Sequence, residues 1–210
     1  MDKPESTLSR RTVIKGAAWS VPVIAVSAAA PAMAASAAPC PTIPDFGGFV
    51  WAIPASGQLN PSTGHTGPAT VNGVSVAESI LDGKTSAGPA TVTVTTTLPL
   101  VAGTSYTLSF GIMGRFADGN GSPTTSQSLA VSVGGSTIYR ASTRTQSDPS
   151  IAVIPTGVNW GTSFKPVTVT FTATSTGNIP LVFTFQLPGM PAGWGGSDDI
   201  RVSQPALLCP

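Results

Sequence analysis

From residue 91 to residue 202 the chain repeatedly alternates apolar and small polar side chains, and a period of two restricts it to β structure. Thr91-Val92-Thr93-Val94-Thr95 sets valine on one face and threonine on the other. Tyr106, Leu108, Phe110 and Ile112 share a face, opposite Thr107, Ser109 and Gly111. Leu129, Val131 and Val133 alternate with Ala130 and Ser132, and Gly134-Gly135 then turns the chain back into 136–141 as a hairpin. Val167, Val169 and Phe171 alternate with Thr168, Thr170 and Thr172. Leu181, Phe183, Phe185 and Leu187 face inward, with Thr184 and Gln186 outward. Ile200 and Val202 begin a last strand that runs toward Cys209. Weaker strands fit 49–53 and 71–79, for a total of about eight or nine. Strands with one apolar face pack as antiparallel sheets, and two such sheets make an all-β sandwich. The one helical candidate is a short turn over 78–83.

Composition agrees with that class. Only 9% of the 210 residues are charged, while 41% are hydrophobic, so the chain can build a core and is not a disordered polar tract. Beyond residue 34, Lys84, Arg115, Arg140, Arg144, Lys165 and Arg201 face seven carboxylates: Asp45, Glu78, Asp82, Asp118, Asp148, Asp198 and Asp199. Six minus seven leaves a net charge of −1 with His65 neutral. No basic field exists to hold nucleic acid or an anionic bilayer.

The N-terminal segment is a targeting sequence and not part of the fold. Ser9-Arg10-Arg11-Thr12-Val13-Ile14-Lys15 resembles the twin-arginine export motif, with Val13 and Ile14 in its two apolar places. The stretch 16–30 is mildly apolar, and Ala32 and Ala34 supply the small residues of a cleavage site. The expected cut follows Ala34, with Ala37 as the alternative, giving a signal peptide over 1–34 and one domain over 35–210. A membrane span is the competing reading. Pro22, Pro31 and the many alanines make the stretch too weakly apolar for it. The twin-arginine translocase and a signal peptidase are the implied export partners, and the mature chain is expected to be secreted or on the cell surface. No basic residue lies close before the cleavage site, which leaves the general secretory route open. The signal is similar to those on surface proteins of high-GC Gram-positive bacteria.

Cys40 and Cys209 are the only cysteines. An even count outside the cytoplasm points to a disulfide, which would bring both ends of the domain side by side. The alternative is two separate thiols.

The order of segments in the latter half carries a family resemblance. It runs 102–110, 129–135, 164–173 and 181–187, and closes with Asp198-Asp199-Ile200-Arg201-Val202. This order resembles the galactose-binding-like jelly roll of many carbohydrate-binding modules over roughly residues 90–208. The resemblance implies a jelly-roll sandwich, a glycan ligand and no catalysis.

The residues themselves offer little catalytic chemistry. The acids are scattered among turns, and Asp198 and Asp199 are neighbours that a strand would point to opposite faces. The only histidine, His65, has no Gly-x-Ser-x-Gly elbow to serve and reads as a solvated loop residue. No dinucleotide fingerprint, P-loop or Cys/His cluster marks a cofactor. Calcium is the metal such a chain could hold, through loop carbonyls and Asp198, Asp45 or Asp118. Those aspartates equally cap turns.

Aromatic residues in the long connections 54–69, 115–126, 143–162 and 188–197 are the lead for binding. Trp160 and Trp194 each sit beside glycine, where a flat ring can stack on a sugar while Asn159, Asp199 or Arg115 bonds its hydroxyls. The competing reading is that each tryptophan plugs one end of the sandwich. Trp51 belongs to the core. The expected function is therefore non-catalytic binding of an extracellular or cell-wall glycan. The alternative is a structural or adhesive surface protein that binds another protein.

Overall fold

A computed structural model describes residues 40–54, 59–60, 65–83, 88–116, 126–157, 159–189 and 197–210. A 3-10 turn at Phe46–Gly48, capped by the Asp45 side chain, leads into the strands. In chain order these are β1 (Val50–Ala52), β2 (Leu59–Asn60), β3 (Thr66–Val71), β4 (Val74–Ser79), β5 (Asp82–Gly83), β6 (Ala90–Leu100), β7 (Ser105–Arg115) and β8 (Ser128–Val133). Then come β9 (Ser136–Ser142), β10 (Ala152–Val153), β11 (Thr156–Gly157), β12 (Lys165–Thr172), β13 (Gly177–Leu187), β14 (Asp199–Ser203) and β15 (Ala206–Leu208).

The strands form an all-β sandwich of jelly-roll type. One sheet has the order β1-β6-β13-β8-β9-β10. The other runs β11-β7-β14-β4-β3, with β12 and β15 also paired to β7. The ladders are antiparallel except for one short parallel pairing in each sheet, β10 with β9 in the first and β11 with β7 in the second. These two pieces come from the connection 143–162, where sequence alternation predicts only a loop. Each is two residues long, too short to show a period.

The alternation translates into the two-layer core as expected. Val92 and Val94, Leu129 and Val131, and Phe183 and Phe185 point from the first sheet onto Leu108, Phe110, Ile112, Ile200 and Val202 of the second. Phe183 is fully buried, with the rings of Phe46, Phe49 and Phe110 at 5.8, 6.2 and 5.7 Å. Edge-to-face rings at such distances add to the area term. Trp51 packs against this core, its Nε1 donating to the Phe46 carbonyl at 3.0 Å.

Two turns explain differences from the sequence reading. Asn72 (φ 52°) and Gly73 (φ 80°) occupy the left-handed positions of a tight hairpin, so the strand expected over 71–79 is really β3 turning into β4. The turn expected over 78–83 is not helical: Ser79 ends β4 and Asp82 begins β5. Gly134 (φ 57°) and Gly135 (φ 83°) make the hairpin that joins β8 to β9.

A disulfide joins Cys40 to Cys209, with a Cα–Cα distance of 5.5 Å across 169 residues of sequence. Among the described residues no helix is long and apolar enough to cross a membrane.

Candidate functional site

The outer face of the six-stranded sheet carries a run of neighbouring depressions. Since Val92, Val94, Phe183, Phe185, Leu129 and Val131 face the core, the residues between them face outward. Register then sets them in rows. Ala52, Thr93, Thr184, Ala130 and Arg140 lie side by side across five strands. Thr91, Gln186, Ser128 and Ser142 form the next row. Four strand spacings make the first row about 19 Å long.

Three depressions follow these rows. One of about 260 Å³ has Ser128, Ser142 and Gln186 as its floor and Pro89, Pro188 and Ile151 as walls. A second, of about 170 Å³, continues over Ala130 and Thr184 to Arg140 and shares Ser128, Ile151 and Gln186 with the first. A third, of about 430 Å³, opens on the other side of Pro89 above Thr91 and Thr93, against Ala52, Ile53 and Pro54. Together they make a shallow groove with hydroxyl and amide groups on its floor and aliphatic side chains on its rims.

The polar groups of the groove are positioned from below. Gln146 Nε2 donates to Ser142 Oγ at 3.0 Å, and Ser142 Oγ donates to the Gln127 carbonyl at 3.3 Å. Among the described residues the one charged group of the floor is Arg140, which lies 3.2 Å from Asp148. Asp148 Oδ1 also accepts from the Ser150 amide at 2.9 Å and its hydroxyl at 2.7 Å. These bonds, with Arg140, hold the Asp148 carboxyl below the ordinary value. Such a floor favours an uncharged ligand rich in hydroxyls. Among the described residues lining the three depressions none is aromatic.

Two residues named from sequence, Trp160 and Arg115, meet on the opposite side of the molecule. Arg115 and Arg201 point outward from β7 and β14 of the other sheet. Arg115 donates to Asp199 Oδ2 through Nε at 2.8 Å and Nη2 at 2.6 Å. Arg201 is bonded to Glu78 across the β14–β4 ladder. The connection after β11 crosses this face and sets Trp160 over the two cations. The Arg201 guanidinium carbon lies 3.8 Å from its ring centre and that of Arg115 5.3 Å away. Phe164 closes on the same face: a Cβ on Gly111 would come within 2.5 Å of the Phe164 Cβ. Trp160 is thus half-buried with a guanidinium on its ring, over the outer face of the sheet and not at an end of the sandwich. Asn159 beside it is exposed. Trp194 lies outside the described residues.

A further ion pair, Arg144 with Asp198, lies at one end of the sandwich. Asp198 is fully buried, accepting from Arg144 at both carboxylate oxygens and from the Thr143 hydroxyl at 2.8 Å. The Arg144 guanidinium also sits 3.5 Å over the Phe116 ring. Burial raises the neighbouring Asp199 carboxyl to about 7. Arg115 opposes the rise, and the charges of Asp82 and Asp198 add to it. Asp198 and Asp199 do face different partners, as strand geometry anticipated.

Two of the three expected calcium ligands have partners within the fold. Asp198 is engaged by Arg144, Asp45 caps the exposed turn at Phe46–Gly48, and Asp118 lies outside the described residues. Among the described residues no group of three or more His, Cys, Asp or Glu side chains is placed to hold a metal ion. His65 is exposed, its Nδ1 3.7 Å from Glu78.

No protein-family model matches the chain, and no curated protein matches it either.

Proposed function

We propose that this chain is an exported, non-catalytic binding module that takes an extended, uncharged glycan across its six-stranded sheet. The observation that carries the reading is the pair of in-register rows, Thr93–Thr184–Ala130 and Thr91–Gln186–Ser128, along the floor of one groove. Hydroxyls and amides spaced along a shallow, open groove match the repeating hydroxyls of a linear polymer. Prolines and Ile151 offer apolar rims to the faces of its rings. Export rests on Arg10 and Arg11 with the cleavage site at Ala34, and a disulfide between the domain's ends suits an oxidising compartment.

Affinity electrophoresis of the purified protein, through gels cast with neutral cell-wall and plant polysaccharides, tests this. Retardation by at least one polymer is expected. Gln186→Ala, which removes one or two hydrogen bonds at about 1 kcal/mol each, is expected to weaken it by roughly five- to thirtyfold. Free migration in every gel would reject the reading.

The adhesive reading keeps one observation in its favour: among the described strands β12 pairs with β7 alone, which leaves its other side without a ladder.

A further inference from the structure

Among the described residues the sheets of this sandwich end in several edges, and those of β1, β3, β9, β10, β11 and β15 are guarded against pairing with another strand. β3 carries Pro68 in its middle, where a proline cannot donate to a new ladder. β1 and β15 are three residues long, and β10 and β11 two. β9 is broken by a register shift opposite Val131 and Ser132 and carries Arg140. Short strands, prolines, bulges and charges are the usual devices for blunting an edge.

β12 has none of them beyond its first two residues. All eight of its residues pair with β7 in one unbroken register, from Lys165 with Ile112 to Thr172 with Ser105. Among the described strands β7 is its only ladder partner. The strand then runs on as six residues, Val167-Thr168-Val169-Thr170-Phe171-Thr172, without proline or charge. Thr168, Thr170 and Thr172 are exposed, and the last two are already aligned by hydroxyl contacts to Thr107 (3.2 Å) and Ser105 (3.1 Å). The edge is therefore continuous, and its outer side has no ladder among the described strands.

We infer that this edge pairs with the same edge of a second copy of the chain, antiparallel about a two-fold axis at Val169. The sequence of β12 is self-complementary in that register. Positions equidistant from Val169 come together, so Thr168 meets Thr170 of the second copy and Val167 meets Phe171. Threonine–threonine and aromatic–β-branched pairs are favourable cross-strand neighbours. Residues on the core side meet core-side residues, so the two seven-stranded sheets continue into one another. Lys165, the only charge on the strand, falls beside Ala173 and not beside its own copy. A net charge of −1 beyond residue 34 opposes the approach very little. A two-fold contact of this kind closes on itself and does not propagate into a fibre. One strand pair buries less than a standard interface, so the dimer is reversible. It lies on the sheet opposite the glycan groove and does not depend on the glycan reading.

Sedimentation velocity of the full chain over a wide concentration range, without polysaccharide, tests the inference together with amide hydrogen exchange. A reversible dimer is expected, with slower exchange over 167–172 as concentration rises. Thr168→Lys combined with Thr170→Lys puts lysine opposite lysine at two exposed pairs and is expected to weaken the dimer about tenfold or more. Thr168→Lys combined with Thr170→Glu puts each lysine opposite a glutamate and is expected to restore it. Equal melting temperatures of the two variants will show that neither has lost the fold. A monomer at every concentration would overturn the inference. So would a dimer that the lysine pair leaves intact, or one that the lysine–glutamate variant fails to restore.

Discussion

Arg144 grips Asp198 with both arms of its guanidinium, Nε to Oδ2 at 2.7 Å and Nη2 to Oδ1 at 2.9 Å. The first residue follows β9 in one sheet and the second precedes β14 in the other, so the pair fastens the two layers at one end. Removing one partner of a buried pair leaves the other charge uncompensated. Arg144→Ala is expected to destabilise the fold by about 3–5 kcal/mol in urea unfolding. Arg144→Lys is expected to recover part of that loss, because a point charge cannot reproduce the fork. A loss below about 1 kcal/mol for the alanine variant would show that the pair contributes little.

Stability should depend on pH through Asp199. The folded carboxyl keeps its proton up to about 7, whereas its ordinary value is 3.8. Between those values the folded chain binds a proton that the unfolded chain has released, so this contribution is lost as pH rises from about 4 to 7. It is fully present below that window and level above it. At about 1.4 kcal/mol per pH unit, about 4 kcal/mol is the ceiling. Urea unfolding between pH 4 and 8 should show a decline for the wild type that Asp199→Asn flattens. Parallel curves for the two proteins would contradict the assignment.

The disulfide closes nearly the whole domain. For a separation of 169 residues, loop-closure entropy gives about 5 kcal/mol as an upper value. Cys40→Ser with Cys209→Ser should lower the urea midpoint strongly, and reduction of the wild type should do the same. β15 carries Leu207, whose carbonyl lies 3.2 Å from the Cys40 sulfur, and should be the first strand to lose exchange protection.

Trp160 covers two paired cations, and its loss should be felt in stability. Trp160→Ala is expected to cost about 1–2 kcal/mol, from the cation–π contacts and the area its ring buries. The melting temperature measures that cost.

Much of the sandwich was legible along the chain. Val92, Val94, Phe183 and Phe185 face the core, and Thr91, Thr93, Thr184 and Gln186 face out, as their alternation requires. The hairpin at Asn72-Gly73 was legible too, because an Asn-Gly pair is a turn signal, but valines on both sides let it pass for one strand. The groove was harder to read. Each of its floor residues is marked as outward by period two, yet only the strand order β6-β13-β8-β9 sets Thr91, Gln186, Ser128 and Ser142 in one row. The ion pairs were beyond reach, since Arg144 and Asp198 are 54 residues apart and Arg115 and Asp199 are 84 apart. Without those pairings, Arg115 and Trp160 looked like free binding groups, whereas Asp199 and Arg201 engage them.

The most direct test of glycan binding in the groove compares three proteins in the same polysaccharide gel: wild type, Thr184→Arg and Trp160→Ala. Thr184 lies at the centre of the groove floor, where a long charged side chain would fill the space a polymer must occupy. Trp160 is on the opposite sheet. The account predicts that Thr184→Arg migrates freely while Trp160→Ala is retarded like the wild type. Retardation kept by folded Thr184→Arg and lost by folded Trp160→Ala would contradict it and move the site to the tryptophan face.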